Sequence, residues 1–182
     1  MKANKILIVV DMQRDFIDMA LGTKEAQTIV DNVAAKVAEA RAKGDKIIFT
    51  RDTHFDDYME TEEGRNIPVP HCIKGTVGWQ IDERVGAAET DEIIDKVTFG
   101  AADLGLVLKE HLLIGEIELA GLCTDICVLS NAVLAKAAVP NVPLIVDAAC
   151  CAGVTPKSHD TALEAMKAVQ VKIINQGQEP WR

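Results

Sequence analysis

Asp11, Lys96 and Cys127 carry three chemically useful groups, a carboxylate, an amine and a thiol, and the thiol is a possible nucleophile. Each falls near the end of an apolar run. Lys5 to Val10 (KILIVV) stops at Asp11, Glu92 to Val97 (EIIDKV) holds Lys96, and Ile114 to Val133 (IGEIELAGLCTDICVLSNAV) turns at Gly121 into a helical pattern with Cys127 in its first turn. A thiol at a helix start faces backbone N–H groups without intrahelical partners and the positive end of the helix dipole, and both favour the thiolate. Cys127 is therefore the candidate nucleophile. Taken singly, each residue has a plainer reading: Cys127 as a small buried hydrophobe, Asp11 as a loop cap, Lys96 as a solvated lysine at a strand end.

The elements that position them read as alternating strands and helices. The β-branched run before Asp11 is the pattern of a strand buried on both faces of a parallel sheet. Ala26, Ile29, Val30, Val33, Val37 and Ala40 recur at helical spacing over Lys24 to Lys43, with Gly44 as the stop. Lys46 to Thr50 reads as a second strand, Glu92 to Val97 as a third, Ala102 to Leu113 as a helix weakened by Gly105, and the helix after Gly121 runs on to Ala138. Pro143 to Ala148 is a fifth strand, Thr155 with Pro156 caps a last helix to Val169, and Val171 to Ile174 is a sixth strand. Between Asp52 and Asp91 there is little periodicity, and a connection of that length is usually functional or disordered. The alternation predicts an α/β fold, three-layer and Rossmann-like, with a six-stranded, mostly parallel sheet in the order 3-2-1-4-5-6 and helices on both faces. In that order strands one and four are neighbours where the order reverses, and ligands bind at the carboxyl ends there. Asp11, Lys96 and Cys127 would then share one rim.

The chain of 182 residues fits a single domain over 1–182. Its net charge of −9 and pI near 4.9 argue against nucleic-acid and anionic-membrane partners and leave small-molecule chemistry. Five cysteines, an odd number with Cys150 and Cys151 adjacent, do not make a disulfide framework, and the apolar run in MKANKILIVVD is too short for a signal peptide, so a cytoplasmic protein is expected. Cys72, Cys150 and Cys151 read as packing residues, and Cys123 with Cys127 lacks zinc-knuckle spacing. His111 and His159 fall on helical patterns as exposed or satisfied histidines, and Trp181 is a packing anchor or disordered.

The stretches VVDMQRDF (Val9 to Phe16), RDTH (Arg51 to His54), PHCIKGT (Pro70 to Thr76), DKVTFG (Asp95 to Gly100) and GLCTDICVLSNA (Gly121 to Ala132) together resemble the isochorismatase-like cysteine hydrolases, in their nicotinamidase branch. The resemblance implies a catalytic triad of Asp11, Lys96 and Cys127 that hydrolyses an amide or related carbon–nitrogen bond through a thioester. It implies an oxyanion hole from the backbone N–H groups of Cys123 and Cys127, a cis peptide between Leu122 and Cys123, and substrate contacts from Phe16 and Phe99. It also implies a divalent metal, zinc, iron or manganese, on Asp52, His54 and His71, with a fourth ligand among Glu60, Glu62 and Glu63, of which Glu63 is favoured as nearest the PHC segment. No organic cofactor is implied, and homo-oligomers occur in such families.

Two departures from the branch touch the substrate. The segment after Lys96 is short, passing directly to Phe99 and Gly100, and Pro68 stands where many nicotinamidases carry an aromatic that would stack on a pyridine ring. Nicotinamide hydrolysis is the leading expectation, with two alternatives: a metal-free ureido or carbamoyl hydrolase, and a thiol-based redox or binding protein on the same fold.

Overall fold

The computed structural model describes residues 4–111 and 113–182. Six strands pair in parallel in the order β3-β2-β1-β4-β5-β6: β1 (Asn4–Val10), β2 (Lys46–Asp52), β3 (Glu92–Lys96), β4 (Ile114–Leu122), β5 (Leu144–Ala152) and β6 (Lys172–Ile174). This is the expected α/β order, with every pairing parallel. The helices are α1 (Arg14–Ile17), α2 (Lys24–Thr28), α3 (Val30–Lys43), α4 (Glu62–Asn66), α5 (Leu104–Glu110), α6 (Leu129–Ala138) and α7 (Pro156–Ala168). Alternation along β1 divides the core into two layers. Ile6, Ile8 and Val10 pack with Leu104, Leu108, Ala132, Ala135, Leu163 and Met166 of α5 to α7, whereas Leu7 and Val9 pack with Val30, Val33 and Val37 of α3. Burial on both faces explains why β1 is an unbroken apolar run.

Several boundaries differ from those the sequence suggests. The helix expected over Lys24 to Lys43 is interrupted at Ile29, where the Thr28 hydroxyl donates to the Glu25 carbonyl at 2.8 Å and three β-branched residues follow one another. β2 continues to Asp52, and β5 runs on through Cys150 and Cys151 because their small buried side chains suit a strand between two layers. α5 is shorter than expected at both ends, starting at Leu104 and ending at Glu110; Leu112, in the expected span, lies outside the described residues. The region after β2 holds a 3-10 turn (Tyr58–Glu60), α4 and a second 3-10 turn (Glu83–Val85). Thr155 caps α7 as expected, accepting from the Ser158 N–H at 3.0 Å in a reciprocal capping box. No helix among the described residues is long and apolar enough to cross a membrane.

Strand β4 reaches one residue past Gly121, whose φ of +124° and contact with the Val10 backbone exclude a side chain there. After the Leu122–Cys123 cis peptide, residues Thr124–Val128 form a π-helical turn that leads into α6. The π turn was not legible as such: its spacing passes for the start of an ordinary helix.

Candidate active site

Asp11, Asp52 and Lys96 stand at the carboxyl ends of β1, β2 and β3, and register sets their spacing: Val10 lies opposite Thr50, and Asp52 opposite Lys96. Lys96 is buried, and its ammonium has four neighbours. Nζ lies 2.7 Å from Asp11 Oδ2, 3.0 Å from Asp52 Oδ1, 3.0 Å from the Thr98 carbonyl and 3.6 Å from Cys127 Sγ. The Thr50 hydroxyl donates to Asp11 Oδ1 at 2.6 Å, while Asp11 Oδ2 has no aligned hydrogen-bond donor. The structure thus gathers the three predicted groups around one amine.

Burial sets the charge states. It pushes the Asp11 carboxyl above the ordinary carboxylate range, and Asp52 adds to this against Lys96 and Thr50. Burial also works against the Lys96 ammonium, but Asp11, Cys127 and Asp52 together hold its pKa above the usual lysine value. The Cys127 thiol is pushed well above its usual value, first by burial and then by Asp11, with Lys96 pulling the other way. The helix start favours the thiolate, but desolvation and the charges of Asp11 and Asp52 act against it more strongly than Lys96 acts for it. The resting pair is a protonated thiol beside a carboxylate disposed to accept a proton.

The π turn explains how Cys127 and its neighbours present backbone donors. The Val128 N–H reaches the Cys123 carbonyl at 3.1 Å, so the Cys127 N–H lies one residue before the first bond of π type. Asn131, one turn on, donates to the Cys127 carbonyl at 2.8 Å and accepts from the Ala101 N–H at 2.9 Å, fastening the nucleophile turn to the loop after β3. A cavity of about 40 Å³ lies against Cys123 and Cys127, walled by Phe16, Leu21, Ile67, Phe99 and Ile126, with Asp52, Glu63 and His71 as its polar lining. Glu63, Ile67 and Phe99 also border an outer groove of about 400 Å³ lined by Glu62, Asn66 and Val97 among others.

Asp52, His54, Glu63 and His71 converge beside Lys96, each offering one ligand atom within 4.8 Å of the others. His71 Nδ1–H donates to the Val69 carbonyl at 2.8 Å, which leaves Nε2 facing Asp52 Oδ2 at 3.6 Å and Glu63 Oε1 at 3.7 Å. His54 Nε2 is buried without an aligned partner, although Asp52 Oδ2 is 2.9 Å away and Glu63 Oε1 3.7 Å. Two imidazole nitrogens and two carboxylates this close need a cation or shared protons between them. Burial alone would raise the Asp52 pKa, but its contacts with His54 and His71 and the Lys96 charge hold it far below the ordinary range. Glu63 is raised, by burial and then by Asp52. Of the three glutamates weighed from sequence, Glu63 faces the cluster, Glu62 lines the outer groove and Glu60 is exposed.

The structure adds residues that sequence reasoning passed over. Tyr58, the chain's one tyrosine, is buried with its ring 4.7 Å from His54 and 5.1 Å from His71. Gln13 ties β2 to the following loop, accepting from the Asp52 N–H at 2.7 Å and donating to the Trp79 carbonyl at 2.7 Å. Their signal was weak: an isolated tyrosine four residues after His54, and a glutamine after an apolar strand. Of the histidines expected on helices, His159 is buried and fully hydrogen-bonded, and Trp181 packs on the inner layer. All five cysteines are free.

A parallel sheet of this order, with an acid, an amine and a thiol on its carboxyl rim beside a cluster suited to a metal, is the arrangement of a hydrolase built on a Rossmann-like fold. The chain belongs to the isochorismatase family, whose Isochorismatase domain matches residues 5–178. A nicotinamidase/pyrazinamidase of Bacillus subtilis, PncA, is 30% identical with a TM-score of 0.82, covering 93% of this chain and 98% of that one. The pyrazinamidase of Pyrococcus horikoshii, solved in complex with zinc, is 28% identical with a TM-score of 0.83, over 94% of this chain and 98% of that chain. An Arabidopsis thaliana relative, 32% identical over 181 residues and 93% of this chain, is described as a probable inactive nicotinamidase and is covered over 91% of its length.

Proposed function

We propose that the protein is a cysteine amidohydrolase that cleaves the carbon–nitrogen bond of a small uncharged amide, nicotinamide first, giving the carboxylic acid and ammonia. One observation carries this: the Lys96 ammonium touches both the Asp11 carboxylate, at 2.7 Å, and the Cys127 sulfur, at 3.6 Å. In this reading Asp11 takes the thiol proton as sulfur attacks the carbonyl carbon, and Lys96 balances the charge that appears on sulfur. The N–H groups of Cys123 and Cys127 hold the tetrahedral oxyanion. Asp11 returns its proton to the leaving nitrogen, ammonia departs and a thioester remains. Water gives a proton to Asp11 and attacks the thioester, and collapse restores the thiol. Asp52, His54, Glu63 and His71 would hold a divalent ion, zinc, iron or manganese, which when bound polarises a ligand or lowers the pKa of a coordinated water. Phe16 and Phe99 supply apolar walls for a flat substrate.

The cavity favours this substrate class over the ureido one. Three of the residues that line it, Asp52, Glu63 and His71, belong to the cluster suited to a metal, which supports the metal-assisted amidase over a metal-free ureido hydrolase. A peroxide sensor has no need of the Asp11–Lys96 pair that lies beside the sulfur, which counts against the redox reading. The test is ammonia release across a panel of small amides by wild type and Cys127→Ala. Loss of turnover by about a thousandfold or more in the variant, with its melting temperature kept, is the expected result; undiminished turnover in Cys127→Ala sinks the mechanism.

A further inference from the structure

The turn that carries Cys127 is gripped from outside the site by contacts that the proposed catalytic steps do not use, and these lead to the end of the chain. Thr124, with no exposed surface, places Oγ1 2.8 Å from His159 Nδ1. His159, equally enclosed in α7, places Nε2 3.2 Å from Glu179 Oε1. A carboxylate only accepts, so Nε2 carries the proton and Nδ1 accepts from the Thr124 hydroxyl; Glu179 thereby fixes the tautomer. Glu179 is itself held by the Gly177 N–H at 2.9 Å and by Arg182, which also pairs with Asp160. The Trp181 ring stands edge-on to His159 at 5.1 Å and 89°.

Asp125, the next residue of the turn, accepts from the Val154 N–H at 3.0 Å, and a side chain at Gly153 would strike the His159 backbone at 2.9 Å and Asp125 at 3.0 Å. Thr124 and Asp125 separate Cys123 from Ile126 and Cys127. A shift of either residue would move both proposed oxyanion donors relative to the sulfur. His159, Asp160 and Glu179 also lie close enough to hold a cation, but His159 is bonded through both nitrogens and both acids pair with Arg182, so no ligand is required there.

We propose that Thr124, His159 and Glu179 are positioning residues: a relay from the C-terminal segment that fixes the oxyanion turn. Its effect on rate rests on the hydrolase reading; its effect on the turn does not. The experiment compares wild type with two matched pairs, Thr124→Val against Thr124→Ser and Glu179→Ala against Glu179→Gln. The serine keeps the hydroxyl and the glutamine keeps an acceptor for Nε2–H. Thr124→Val and Glu179→Ala are expected to lose about 10- to 100-fold in kcat with KM within about twofold, and their matched partners to stay within about threefold of wild type. Amide hydrogen exchange at Thr124–Val128 should be faster in Thr124→Val and Glu179→Ala than in their partners. Equal kcat within each pair overturns the relay. If wild type hydrolyses no amide, it is the proposed activity that fails, and the exchange comparison, which needs no turnover, still decides: equal rates within each pair overturn the relay, faster exchange in the valine and alanine variants supports it. Should Glu179→Ala not fold, the nearly isosteric Thr124 pair decides by itself.

Discussion

Lys96 sets the character of every group around it, and Thr50 trims the result. Its hydroxyl lowers the Asp11 pKa, opposing the burial that raises it. Thr50→Val removes that bond at almost constant volume, so the Asp11 pKa rises further and the base ionises only at higher pH. The acid limb of kcat/KM against pH should therefore move upward, and an unmoved limb would show that Asp11 is not the group titrating. His159 supplies a second pH effect, on stability. Burial lowers its pKa below 6.5 despite the Glu179 partner. The unfolded chain then binds the proton more readily, so stability is complete above about pH 6.5 and is lost as pH falls below it. Thermal melting at pH 7.5 and 5.5 should show the drop, and the difference should shrink in His159→Gln.

Among the elements, the strands were the most legible and the loops the least. Continuous apolar runs ending in Asp11 and near Lys96 placed both residues on the rim because parallel strands buried on two faces leave that signature. The run before them placed Asp52 and His54 at the carboxyl end of β2, but their role as ligands, like that of Glu63 and His71, was legible only through family likeness, since nothing in the spacing of a loop says which carboxylate or imidazole turns inward. The helix after Gly121 was placed to within a few residues. The helix start at Cys127 was visible in sequence, while the burial and the carboxylate charges that oppose the thiolate were not. Asn131 shows what such blind spots cost. Its side chain joins the Cys127 carbonyl to the Ala101 N–H of the loop after β3, and Asn131→Ala removes both bonds. A loss of about 1–3 kcal/mol in urea unfolding is expected; a loss near zero would mean that other groups take over both bonds. The cavity of about 40 Å³ has room for little more than one water, so a ring-sized amide needs more space, and Ile67 and Phe99, which border both the cavity and the outer groove, are the side chains expected to move. Phe99→Ala should change KM more than kcat.

For the molecule as a whole, the cluster of Asp52, His54, Glu63 and His71 couples ligand binding to folding. It joins the end of β2 to α4 and to the loop beyond, so a divalent ion held there ties these segments together. Saturation at 100 times Kd stabilises a protein by about 2.7 kcal/mol. Zinc or manganese titrated into chelator-treated protein should therefore raise the melting temperature by several degrees, and His71→Ala should abolish the rise. No shift with zinc, iron or manganese would mean that the four groups share protons instead.

Asp11, Asp52 and Lys96 owe their spacing to strand register, whereas the chamber in front of them is walled largely by Phe16, Ile67, Phe99 and other residues outside the sheet. Preference for a substrate and competence at the bond are thus encoded in separable stretches of polypeptide. Transplanting α1, the stretch between β2 and β3 and the loop after β3 from a relative should redirect which molecule is cut while the cutting edge keeps its dimensions, a division that lets one scaffold diversify without relearning its reaction.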